Sequence, residues 1–135
     1  MKELTLPANL ENLIVVTAFV DEQLEALDCP MKAQMQIDVA IDELFSNIAH
    51  YAYPGAAGDA TVRFDFDEST RRASITFVDS GIPFDPLAKE DPDVTLSVEE
   101  RQVGGLGIFM VKKTMDELEY RYENGFNILI IHKCI

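Results

Sequence analysis

The stretch Glu99–Tyr120, EERQVGGLGIFMVKKTMDELEY, places Gly104, Gly105 and Gly107 directly before a run with helical spacing. Glycine costs conformational entropy wherever it stands, so the cluster asks what must come so close to the backbone there. A sharp turn needs one glycine, or two. Three within four positions, opening a helix, point to a phosphate or another anion seated on bare amides. Two other glycine motifs do not fit. A dinucleotide fingerprint needs a strand before it and a third glycine where Met110 stands, and a P-loop needs a glycine where Lys112 stands.

Working outward, the segment Ser80–Val103 has little periodicity and holds Asp85, Glu90, Asp91 and Asp93 together with Pro83, Pro86 and Pro92. A loop of that length inside a compact domain is a lid, a binding loop or plain disorder. Downstream, ELEYRYE and FNILIIHK read as two strands joined by Asn124-Gly125, the strongest short hairpin signal. Upstream, KELTL (Lys2–Leu6) reads as a strand, and Asn9 as the cap of an amphipathic helix carrying Leu10, Leu13, Thr17, Val20, Leu24 and Leu27. A second helix is predicted from about Met31 to Tyr53, ending at YPGAAGD. ATVRFDFD and RASITFVD then alternate with period two around EST, a further hairpin. Such an order predicts an α/β (α+β) two-layer sandwich, with helices on one face of a mostly antiparallel or mixed sheet.

Composition narrows the function. At 135 residues, one domain spanning 1–135 is expected. A net charge of −13 argues against a nucleic-acid binder, whose affinity comes from clustered Lys and Arg. A bound nucleotide would therefore need a metal ion and local backbone donors. Cys29 and Cys134 fit no metal-ligand spacing, and no signal peptide or apolar run of 18 residues is apparent, so a cytoplasmic protein that meets no membrane is expected.

The second helix carries candidate chemistry. Ile37, Ile41, Leu44, Phe45, Ile48 and Ala52 share the side that packs on the sheet, while Gln36, Glu43, Asn47 and His50 share an arc at its edge. Glu43 and Asn47 are one turn apart. They are either a solvated face or an amide and a carboxylate holding a Mg²⁺ ion and a water side by side. Asn is costly filler for a helix, which favours the second reading. At the end of a strand, FVDSGIPFD offers Asp79 and Gly81. The pair is either turn chemistry or a carboxylate at the sheet rim that accepts from an exocyclic amine such as that of adenine, with Gly81 letting the base approach the backbone.

In this order and at these gaps, ELFSN (Glu43–Asn47), DSG (Asp79–Gly81) and GGLG (Gly104–Gly107) resemble the N box and the two glycine boxes of the GHKL ATPases. That superfamily includes gyrase, heat-shock chaperone, histidine kinase and mismatch-repair ATPase domains. With IDELFSNIAHYAYP and GGLGIFMVKKTMDELEY, the chain looks most like the anti-sigma-factor serine/threonine kinases, and the likeness covers nearly its whole length. The resemblance implies the Bergerat ATP-binding fold. It implies that Asn47 chelates Mg²⁺, that Glu43 is the general base, and that Asp79 binds the adenine amine with Gly81 beside it. It also implies that Gly104, Gly105 and Gly107 contact the phosphates of ATP and hinge a lid over about 82–103. Arg101, just before the glycines, can reach a terminal phosphate or be simply solvated. The family's second glycine in the DSG box falls on Pro83 here, which implies a differently shaped adenine end. The partners implied are a sigma factor and its antagonist (an anti-anti-sigma protein), with a homodimer as the assembly. Two activities fit: a Ser/Thr kinase acting on the antagonist, or a module that sequesters a regulator around structural ATP with little phosphotransfer.

Overall fold

The computed structural model describes residues 1–88 and 105–135, with side chains of the second stretch from residue 107 on. Arg101, Gly104 and most of the 82–103 lid lie outside the described residues. One five-stranded sheet runs in the order β1-β2-β3-β5-β4, from β1 (Lys2–Pro7), β2 (Asp59–Asp67), β3 (Arg72–Asp79), β4 (Glu117–Glu123) and β5 (Phe126–Cys134). Every described pairing is antiparallel, so the sheet is not mixed. The reason is topological. The chain leaves β3, reaches the sheet edge as β4, and comes back between the two as β5.

Alternation decides which face is covered. β2 buries Ala60, Val62 and Phe64, β3 buries Ala73, Ile75, Phe77 and Asp79, and β5 buries Asn127, Leu129 and Ile131. Every second residue points one way, so these form a single face. The helices α1 (Leu13–Ala26), α2 (Met31–Asn47) and α3 (Gly105–Thr114) pack on it. Helix α2 contacts both of the others and supplies Ile37, Ile41, Leu44 and Phe45, all essentially inaccessible to solvent. Truncating Phe45 to Ala would cost about 3–5 kcal/mol.

The hairpin between β4 and β5 takes the turn its residues favour. Glu123 pairs with Phe126 across a two-residue loop in which Asn124 (φ 53°) and Gly125 (φ 83°) both adopt the left-handed region that a tight hairpin requires. Between β2 and β3 the Asp67 carboxylate closes the loop by accepting from the Ser69 amide and hydroxyl.

Helix α1 differs from its predicted face at the start. The Asn9 side chain accepts from the Asn12 amide as expected of a cap, but what it caps is a 3₁₀ turn over Leu10–Asn12. That tighter turn rotates Leu10 outward, and the buried stripe of α1 is Val16, Val20 and Leu24. Helix α2 also changes pitch: its α-geometry ends at Asn47, and a π turn over Ile48–Ala52 continues it.

At the seam of α1 and α2, Asp38 faces Asp21, and one oxygen of each carboxylate is buried without a donor. Desolvation, reinforced by the hydrogen bond and charge of Asp21 and by the charge of Glu25, raises Asp38 to about 7. A carboxyl whose folded value exceeds its unfolded one stabilises the fold while protonated. That contribution is complete below the unfolded value near 4 and is lost as pH rises to about 7. Asp38→Asn should therefore raise stability at pH 8 by about 1 kcal/mol, after allowance for solvent screening at this half-exposed seam, and change little at pH 4. Urea unfolding at both pH values measures it; an equal effect at both would show that the pair shares no proton.

Candidate functional site

Asp79 is in phase with Ala73, Ile75 and Phe77, so the strand that buries them must bury it too, at 6% exposure. Asn127 stands directly across from it on β5, in phase with Leu129 and Ile131, at 5% exposure. They are the buried polar side chains among the described residues. A desolvated carboxylate needs donors, and Asp79 Oδ1 accepts from the Gly81 amide at 2.9 Å and from Asn127 Nδ2 at 2.9 Å. Burial still pushes the carboxyl above its usual range, with those two bonds opposing the shift.

The π turn brings this strand end to helix α2. The Ile82 amide donates to the Ala52 carbonyl at 2.9 Å, locking the chain after Asp79 onto the last turn of the helix. Any Cβ at Gly81 would stand 2.2 Å from that carbonyl oxygen. Glycine is thus demanded there by backbone packing, whatever else approaches it. Tyr53 braces the same corner: its hydroxyl donates to the Asp59 carbonyl (2.5 Å) and accepts from the Ser80 amide (2.9 Å). Turns of π pitch recur at functional sites, where the extra residue re-aims the side chains beyond it.

The result is an apolar crevice with about 400 Å³ of empty space, part of it open to solvent. Leu44, Ile48, Ala52, Phe77, Phe84 and Leu129 wall it, and Asp79, Asn127, Tyr120 and Asn47 supply the polar groups. A mostly apolar cleft with a few convergent polar groups is the ordinary form of a small-molecule site. Two of the sequence-derived candidates, Asn47 and Asp79, line it together. Glu43, one turn back along α2, lies against α3: a Cβ built on Gly107 would stand 2.2 Å from its carboxylate. Gly105 opens α3 two residues before that contact. His50 lies exposed on the π turn, with its ring 6.0 Å from that of Tyr51.

Asn127 and Tyr120 were not singled out by sequence reasoning. The sequence offered only part of the signal for Asn127, a polar residue in an otherwise apolar strand; that it stands opposite an inward acid follows from the pairing of β3 with β5. On the other sheet face, Glu117, Glu119 and His132 converge, but Arg72 pairs with Glu117 and the His132 ring hydrogen-bonds Glu119, so each already has a partner.

The residues present fit a purine nucleotide with a divalent ion. A carboxylate ends an apolar slot, a hard oxygen donor stands along it, and a helix begins in glycine beside a second carboxylate. The two glycines should respond differently to a methyl group. Gly81→Ala collides with backbone and should cost about 1–3 kcal/mol of stability. Gly107→Ala collides only with the flexible end of Glu43 and should leave stability within about 1 kcal/mol. Urea denaturation of both variants tests this; equal losses would contradict the contrast.

Known proteins are similar to the chain over most of its length. A serine-protein kinase RsbW from Bacillus cereus is 25% identical over 132 residues, covering 95% of this chain and 81% of that one. Its counterpart from Bacillus mycoides is 24% identical over the same shares. The histidine kinase domain of the Erythrobacter litoralis blue-light activated histidine kinase superposes with a TM-score of 0.58 at 19% identity, over 78% of this chain and 46% of that one. That likeness shows a shared fold, an antiparallel sheet with helices on one face. The family model for the histidine kinase-like ATPase domain matches residues 6–133, essentially from the last residues of β1 to the last of β5, and the chain belongs to that family.

Proposed function

We propose that the chain binds ATP with Mg²⁺ and transfers the terminal phosphoryl group to a Ser or Thr of an antagonist protein, thereby setting how much of a sigma factor is free. The observation that carries this reading is that Asp79 and Asn47 line one crevice while Glu43, one turn back from Asn47, lies against Gly107 near the start of α3. Asp79 accepts from the amine of the base. Asn47 holds the metal, whose charge offsets that of the phosphates. The amides opening α3 at Gly105 and Gly107, with Gly104 and Arg101 ahead of them, meet the phosphates. Glu43 accepts the proton of the attacking hydroxyl. Support for a Ser/Thr acceptor comes from the RsbW relatives, whose name is serine-protein kinase.

A cytoplasmic setting accords with this, and no helix among the described residues is long and apolar enough to cross a membrane. The segment 82–103 serves as the lid in this reading, and a homodimer as the assembly.

Glu43→Gln keeps the shape and loses the basicity. A positioned base contributes on the order of 10² to 10⁴ in rate, so phosphotransfer to the antagonist should fall at least a hundredfold, with ATP affinity within a few-fold of the parent. Asn47→Ala should instead nearly abolish Mg²⁺-ATP binding in a folded protein. Calorimetry and transfer of labelled phosphate separate the two. Transfer at the parent rate in Glu43→Gln removes that residue as the base, and a parent that binds ATP without transfer to any Ser/Thr-bearing partner is a sequestering module.

A further inference from the structure

The Asn127 side chain uses every hydrogen-bonding position an amide has. Its Nδ2 donates to Asp79 Oδ1 and to the Ile82 carbonyl, each at 2.9 Å. Its Oδ1 accepts from the Phe84 amide at 3.1 Å and from the Tyr120 hydroxyl at 2.5 Å. One buried group thus joins four parts of the molecule: the end of β3, both sides of the Ile82–Phe84 segment, and the edge strand β4. Shape filling does not require this, since an apolar side chain would fill the same space.

We propose that Asn127 is the positioning residue of the base pocket, fixing the Asp79 carboxylate toward the crevice while holding the first residues of the lid segment to the sheet. The inference rests on the proposed nucleotide site and assigns a residue to it. Two donors converge on Oδ1 of Asp79, which leaves Oδ2 for a donor on the ligand. The same amide grips Ile82 and Phe84, so the orientation that suits the base is also the one that seats the root of the lid segment. Phe84 in turn packs its ring 5.8 Å from that of Tyr51 on the π turn, so the seat reaches across to α2. Base recognition and lid placement thereby share one group.

The test is Asn127→Asp, which has nearly the same shape. It keeps the oxygen that accepts from Phe84 and Tyr120 but puts a second oxygen against Asp79 Oδ1. The ionisable groups around the site, among the described residues, include Asp79, Tyr120, Asp85 and Tyr122. At pH 8 two carboxylates face each other, and ATP affinity should fall at least about tenfold, with loss of the preference for ATP over GTP. On acidification to about pH 6 the introduced carboxyl gains a proton, donates it to Asp79 and recovers most of the affinity, whereas parent affinity does not improve over that range. Asn127→Ala, the second variant, should lose ATP selectivity at both pH values and speed hydrogen exchange at the Phe84 amide. Parent-like affinity and selectivity in Asn127→Asp at pH 8, or a loss that acid does not relieve, overturns the assignment while leaving ATP binding by the parent intact. A parent that binds no ATP overturns the nucleotide reading itself, and this one with it.

Discussion

Asp79 is a carboxylate at the end of an otherwise apolar strand face, and the geometry around it comes from having to hold that charge out of water. Period-two alternation gives it no choice of direction, because turning it outward would turn Ile75 and Phe77 outward too. An unpaired buried carboxylate would cost far more than one hydrogen bond returns, so donors must be brought to it. One comes from the Gly81 amide, which reaches it because the chain turns sharply against the Ala52 carbonyl. The other comes from Asn127 on the neighbouring strand. The π turn, the glycine and the Tyr53 brace are parts of one solution to this desolvation. The outcome is a carboxyl oxygen facing an apolar slot, which in the proposed reading receives a flat ligand with an amine at its edge.

The overall charge sharpens the point. A chain with net charge −13 repels a polyphosphate at long range, so affinity must come from contacts close enough to escape that field. Backbone amides at a helix start and a divalent ion held by side-chain oxygens would be such contacts in the proposed site. Helix α2 organises them. Its buried stripe of Ile37, Ile41, Leu44 and Phe45 fixes it to the sheet, and its flank then places Asn47 over the crevice and Glu43 against Gly107. Packing on one side of the helix sets the chemistry on the other.

Much of this was legible in the sequence. Alternation in RASITFVD and FNILIIHK gave the strands and the Asn124-Gly125 turn their places, and the helical spacing after Met31 gave the core of α2. The three short boxes gave the family before any coordinates. Other features depended on pairings that one segment cannot show. Asn127 looked like part of a closing strand because its meaning depends on its neighbour Asp79, 48 residues away. Leu10 matched the helical period but precedes α1, since local capping by Asn9 favoured a tighter turn. The change of pitch after Asn47 has no composition signature, because it is imposed by what docks against Ala52. The reason for Gly81 was likewise hidden: sequence reading looked to the approaching base, and the fold adds a carbonyl oxygen that already occupies the space.

The most direct test of this arrangement is a nuclear magnetic resonance experiment on the labelled protein with a non-hydrolysable ATP analogue and Mn²⁺ in place of Mg²⁺. The paramagnetic ion broadens resonances according to their distance from it, while the base shifts those it touches. The expected result is strong broadening of the Asn47 side-chain amide and of the amides opening α3. The Gly81 and Asn127 signals, beside Asp79, should shift but stay sharper. Broadening centred on Glu117, Glu119 and His132, with Asn47 unaffected, would contradict it and place the metal on the opposite face of the sheet.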